Sequence, residues 1–398
     1  MAGAGLRYGV APIRQGNGIL ARRRILSLDG DGAWVMLEVW SLIQAYGAPT
    51  RGHDVLAEFD LVAANSGGSL VLGGLLMDLT LAELMELFRD EARRRQIFAP
   101  GGSPPARYRA EGKLAGLRAI LGAADRPLAE VASRTGRRGL WLPHIVIAAY
   151  AVEQEKGVLF RSDLSAPAAS VEPAEGPRRP SVTLAEAIHA SSNAPLLYFD
   201  DMARLPAGNF WDGAIAGWNC PAAVAVIEAL AYGWRPDEIV LLSLGAANVL
   251  MPDKTLPPPA DDVGLKLRRL GAEVRVMLRA ILKEPASSAP FHAHVMLGGA
   301  LPANPRDAVT DGPVVRLNPM PGPQTTDPPH ALLARLDMDA NTPEEITLIE
   351  RLGQRWLAGF VPNEPVRMQR TTGHPDIGHR TAAEALAAWS ARAPRRAS

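Results

Sequence analysis

Short, wholly apolar runs alternate along this chain with stretches whose apolar residues recur every three or four positions. RRILSLDG, from Arg23 to Gly30, is a basic edge followed by a compact apolar run ending in Asp-Gly. That is the pattern of a strand buried on both faces in a parallel sheet. FDLVAANS, HIVIAAYAV and EIVLLSLG repeat it. Helical periods lie between them. AWVMLEVWSLIQAYG carries Val35, Leu37, Val39, Leu42 and Ile43 on its apolar side, and LVLGGLLMD turns into helix directly after the second run. LTLAELMELFRDEARRR predicts one amphipathic helix with Thr80 as N-cap, and SVTLAEAIHASS predicts another helix. The alternation predicts an α/β protein, a three-layer α/β/α fold with a central, mostly parallel sheet.

Pro- and Ala-rich stretches at Ser165–Pro180, Met251–Asp262 and Leu301–Pro329 are expected as surface excursions and connectors. The order of elements predicts an irregular lead-in over residues 1–22 and a core over 23–249. A helical, Pro-punctuated C-terminal extension over 250–398 is expected to pack on that core.

Composition changes this picture little. The chain has 398 residues, 47% hydrophobic and 21% charged, as a globular protein does. Lys+Arg and Asp+Glu both number 42, so no whole-molecule field draws it to nucleic acid, and no nucleic-acid partner is expected. A single cysteine, Cys220, allows no intrachain disulfide and no thiolate metal cluster, which favours a reducing compartment. MAGAGLRYGVAPIRQ has no apolar signal-peptide core. LVAANSGGSLVLGGLLM is too interrupted by Asn65, Ser66, Ser69 and four glycines to span a bilayer. A cytoplasmic protein is the expectation.

Three segments carry candidate chemistry. Asn65-Ser66-Gly67-Gly68 lies between a strand and a helix, where a serine is lifted above the sheet and a helix N-terminus stabilises its alkoxide. The full stretch is A-N-S-G-G, with Ala64 in the first glycine position of G-x-S-x-G, and alone it also fits an ordinary tight turn. Asp29-Gly30-Asp31-Gly32-Ala33 occupies a second strand-to-helix turn whose amides suit an oxyanion or a phosphate. A dinucleotide loop is the other reading, although Val35 stands where the third glycine belongs. Trp211-Asp212-Gly213-Ala214, followed by Asn219-Cys220-Pro221, is by itself only an Asp-Gly turn.

Taken in order, RRILSLDGDGA, NSGGS, AIHASSNAPLLYF, DGAIAGWNCP and EIVLLSLGAA resemble the patatin-like phospholipase family. The family's blocks are D-G-G-G-x-R-G, G-x-S-x-G, a small-residue A-x-S-A-A-P segment, and D-G-G or D-G-A followed by N-x-P. The likeness covers residues 23–249, and VVRLNP with the helical stretch Asp337–Gly353 is similar to the C-terminal part of bacterial members. The resemblance implies a lipid acylhydrolase, phospholipase A or esterase in type, with a lipid or acyl ester substrate, no cofactor, no metal and peripheral membrane contact. It implies Ser66 as nucleophile, Asp212 as its direct base without histidine, and the amides of Gly30, Asp31, Gly32 and Ala33 as oxyanion hole. Asp31 and Trp34 depart from the family's glycine and arginine, which predicts a bias away from strongly anionic substrates.

Other readings stay open. A silent relative that binds lipid or a protein partner, and a nucleotide-binding protein using Gly30–Gly32, share these segments. His292 and His294 in FHAHV follow Ser66 and Asp212 in the order of an α/β-hydrolase triad, or supply half a metal site. GLKLRRLGAEVRVMLRAILK is a basic amphipathic helix with Leu267, Leu270, Val274, Leu278 and Ile281 on one face. Core packing is favoured for it over a membrane-surface role.

Overall fold

A computed structural model describes residues 22–122, 125–131, 142–162, 182–247, 263–302, 307–336, 340–367 and 376–396. The lead-in over 1–21 and the excursions expected at Ser165–Pro180 and Met251–Asp262 lie outside the described residues. The described strands are β1 (Arg23–Leu28), β2 (Leu61–Ala64), β3 (His144–Ala151), β4 (Lys156–Arg161), β5 (Ala203–Leu205), β6 (Gly208–Asp212), β7 (Ile239–Leu244) and β8 (Val314–Leu317). They form one sheet in the order β5-β6-β3-β2-β1-β7-β8, with β4 also paired to β3. β3, β2, β1, β7 and β8 run parallel. β4, β5 and β6 add an antiparallel edge.

Both faces of the central strands are covered, because alternate residues feed two separate cores. Leu26, Leu28, Val62, Ala64, Val240, Leu242 and Leu244 point into the larger one. Ile25, Leu61, Ala63, Ile239 and Leu241 point into the other. Each fully buried leucine or isoleucine contributes about 1.5–3 kcal/mol, so neither face tolerates a polar residue cheaply. The larger core is closed by α1 (Met36–Tyr46), α2 (Gly52–Leu56), α3 (Ser66–Leu76), α4 (Leu81–Arg89), α5 (Glu91–Ile97), α6 (Lys113–Leu121), α7 (Leu128–Val131) and α8 (Leu184–Ser191). The opposite face is closed by α9 (Ala222–Ala231) and the last part of α10 (Val263–Met296). α11 (His330–Leu333), α12 (Pro343–Leu357) and α13 (Ala382–Arg392) return to the larger core through Leu333, Ile349, Trp356 and Trp389. This is the three-layer α/β/α arrangement that the alternation predicts.

Four details differ from expectation. The amphipathic stretch after Thr80 is two helices. Thr80 caps α4 in a capping box with Glu83, but Asp90 leaves helical geometry and its side chain accepts from the amides of Ala92 (2.9 Å) and Arg93 (3.2 Å). A good cap in mid-pattern thus starts a new helix. Leu301–Pro329, expected as a connector, contains the fully buried strand β8. α10 continues past the expected basic helix through Pro285 and Pro290. Leu270 and Val274, favoured as core-facing, are exposed. No described helix is long and apolar enough to cross a membrane.

Candidate active site

The register of the sheet aligns the two glycine-containing turns. Leu28 at the end of β1 stands opposite Ala64 at the end of β2 and Leu244 at the end of β7. Beyond the ends of β1 and β2 the chain turns into helix within three residues, which opens a crevice at the carboxyl edge of the sheet. α3 begins so close to β1 that a Cβ on Gly68 would stand 2.5 Å from the Asp29 carbonyl oxygen. Ala64 fits its place in β2 with no exposed surface.

Ser66 sits in the elbow with φ +48°, a conformation that side-chain-bearing residues rarely adopt. Strain of this kind costs of order 1–3 kcal/mol and persists only where the surroundings enforce it. Here the Ser66 amide donates to Ser191 Oγ (2.9 Å), and Ser69 Oγ donates back to the Ser66 carbonyl. Asp212 ends β6 opposite Ala149 of β3, two residues beyond the Ile147 that faces Ala64. That offset carries its carboxyl over the elbow.

The Ser66 hydroxyl is the foremost of the polar groups that stabilise the Asp212 carboxylate. Asp212 Oδ1 also accepts from Asn65 Nδ2 (3.1 Å) and the Ala214 amide (2.9 Å). Burial is the main influence on this carboxyl and pushes it above the ordinary aspartate value. The Ser66 hydroxyl, the bonds from Ala214 and Asn65 and the charge of Lys113 pull it partly back. A carboxylate raised in this way is a better base than a solvated one.

The loop after β1 is organised differently from the four-amide hole expected. The Gly30 amide donates to the Asn219 carbonyl (2.7 Å), which removes Gly30 from the donor set. Its contribution is the absence of a side chain: a Cβ there would collide with Asn219 Oδ1 and stand 2.8 Å from Ser66 Cβ. Asp31 is extended and buried, and its charge is felt at Glu38. Gly32 and Ala33 begin the 3-10 turn into α1, and their amides have no protein acceptor among the described residues. Two open backbone amides at such a turn can hold an oxyanion.

Beneath this loop lies a polar cluster that its motif does not announce. Asp29 is fully buried and ion-paired with Arg316 of β8 at 2.7 Å. Arg316 also reaches Glu364 (3.4 Å) and Ser243 Oγ (2.7 Å), and Glu364 accepts from Asn318 Nδ2 (2.6 Å). The Asp29 amide donates to Glu38 (2.7 Å). Burial pushes Asp29 up to about 6 against the pull of Arg316. Burial, then the Asp29 charge, pushes Glu38 well above the carboxylate range.

His292 and His294 stay outside the site. His294 is buried, with Nε2 3.0 Å from the Ala300 carbonyl, and His292 is exposed on α10. No described histidine is among the groups acting on Asp212. Asn65, Ser191, Asn193 and Asn219 fall within the segments already singled out, yet no rule of spacing marks them as supports. Arg316 had one signal, a lone charge in the apolar run VVRL.

No protein-family model and no curated protein matches the chain. Among solved structures, the crystal structure of VipD from Legionella pneumophila aligns over 83% of this chain and 67% of that one, at 11% identity and a TM-score of 0.38.

Proposed function

We propose that this chain is a serine-dependent carboxylic ester hydrolase of the patatin-like phospholipase type, acting on lipid acyl esters. The observation that supports it most is an enforced, left-handed Ser66 whose hydroxyl stabilises the carboxylate of a buried Asp212. In this reading Ser66 Oγ attacks the ester carbonyl carbon while its proton passes to Asp212. The amides of Gly32 and Ala33 take the developing oxyanion. Collapse breaks the bond to the alcohol, which leaves with the proton from Asp212. Water then gives its proton to Asp212 and attacks the acyl-enzyme, releasing the acid and regenerating Ser66. Covalent labelling by a fluorophosphonate, lost in Ser66→Ala, tests the reading. Labelling that persists in the variant would overturn it.

A narrow apolar cavity supports an acyl chain as the group transferred. Ala33 of the loop and Leu70, one helical turn after Ser66, form one wall, and Leu84, Phe88, Ile97 and Leu117 continue it. Leu70→Phe should shorten the usable space. The expected outcome is a fall of about tenfold in kcat/KM for long-chain over short-chain aryl esters. An unchanged chain-length profile would place the acyl group elsewhere. Asp31, buried at the loop, supports neutral over strongly anionic head groups.

Peripheral contact with lipid is part of the same proposal. Leu270, Val274 and Met277 recur at helical spacing on α10 and are exposed. Leu270→Glu with Met277→Glu should reduce co-sedimentation with phosphatidylcholine vesicles severalfold while short soluble esters are still cleaved. Equal sedimentation would remove α10 from that role.

A further inference from the structure

Lys113, the first residue of α6, is fully buried, and the mechanism above gives it no task. Its Nζ donates to the Ser192 carbonyl (2.6 Å) and lies 4.0 Å from the centre of the Phe199 ring. It forms no ion pair among the described residues. A lysine enclosed in this way is costly to keep, because its charge is taken out of water without a contacting counter-ion. Burial lowers its proton affinity to about 7, and the one charge that opposes this is Asp212.

Its position relative to the two proposed reacting residues is specific. The carbonyl it holds belongs to the turn that ends α8. The residue before Ser192 is Ser191, whose Oγ accepts from the Ser66 amide. The residue after it is Asn193, whose carbonyl accepts from the Asp212 amide at 3.1 Å. One tripeptide therefore suspends both backbones, and Lys113 ties it from inside.

Other charges around α6 are accounted for. His189 of α8 faces Lys113 as a neutral ring, since burial first and then the Lys113 and Arg118 charges push it down to about 3. On α5, Arg95 pairs with Glu91 and Arg93 with Asp90. Arg94 donates to the carbonyls of Phe88, Arg89 and Asn341. The electrostatic partner left to Lys113 is the Asp212 carboxyl.

We infer that Lys113 is a positioning residue of the Ser66–Asp212 pair: it fixes the Ser191–Asn193 turn that carries both backbones and sets a positive charge opposite the Asp212 carboxylate. The inference rests on the dyad reading above. Without that charge the buried carboxyl holds its proton to higher pH and fewer molecules carry an ionised base. The charge is needed for function and opposes folding. In the unfolded chain Lys113 keeps its proton to about 10.5, in the folded one only to about 7. Between these values the unfolded state binds the extra proton, so this residue's contribution to stability rises with pH across that window. Below it the full penalty is present.

The test compares the wild type with Lys113→Met, which removes charge and donor, and Lys113→Gln, which keeps a donor. Both variants should show the acid limb of kcat/KM on a neutral aryl ester moved up by about one pH unit or more. KM should change less than threefold. Lys113→Met should also melt several degrees above the wild type at pH 6–7, with the gap closing towards pH 10. A purely structural lysine would give the opposite melting result. An unchanged acid limb in both variants, or a Lys113→Met protein that melts lower at pH 6, overturns the inference. Wild-type turnover in Ser66→Ala is a separate outcome: it overturns the dyad reading and takes the positioning role down with it.

Discussion

Ser66→Ala and Asp212→Ala should each lower ester hydrolysis on the order of 10^4-fold or more, and the double variant should lose little beyond either single one. In the proposed mechanism the two residues share one proton, so removing either member disables the step that needs both. Ser66→Gly adds a diagnostic that activity alone cannot give. Glycine adopts φ +48° without strain, so this variant should be inactive yet more stable than the wild type by about 1 kcal/mol. The acid limb of the wild-type pH profile should lie above the ordinary aspartate value, because burial raises Asp212. Steady-state rates from pH 4 to 9, with urea melts of the same proteins, read all of this. Near-normal turnover by Asp212→Ala would end the two-residue mechanism.

Arg316→Leu should be the most destabilising of the substitutions considered, by about 3–5 kcal/mol, since it leaves Asp29 and Glu364 facing one another without their cation. The sign of its pH dependence follows from Asp29. The folded carboxyl already holds its proton to about 6, against an ordinary 3.8, so the folded state binds the extra proton between them. Stability from this group is present below pH 4 and lost as pH rises through 6. Removing Arg316 raises Asp29 further and extends the loss to higher pH. The variant should therefore be closer to wild type at pH 5 than at pH 8. A constant difference across that range would show that Asp29 does not respond to Arg316.

Much of this architecture was legible in the residues. Continuous apolar runs marked β1, β2, β3 and β7, because a strand covered on both faces has no polar side to betray its register. The antiparallel edge was not legible. β4 (KGVLFR) is half-exposed, while β5 and β6 are short and hold their place by pairing with β3 rather than by composition. In the candidate site, Ser66 was singled out by its place between a strand and a helix, and Asp212 only by the family resemblance, since Asp-Gly alone marks a turn. Gly30 was misread as a donor because a sequence cannot say where an amide points. Lys113 could not be read at all. A lysine opening a helix ordinarily faces water, and only the α8 turn and Phe199 make this one internal.

The Asp29–Arg316 pair has a consequence for how the chain is made. Asp29 leaves the ribosome well ahead of its partner, the arginine that neutralises it following nearly 300 residues later. At ordinary synthesis rates that interval is on the order of tens of seconds. Until β8 arrives, the loop beside Ser66 has no counter-ion beneath it and no reason to settle. The nascent protein is thus expected to carry Ser66 beside an unsettled loop, and on the proposed function a chain released before residue 316 should hydrolyse nothing.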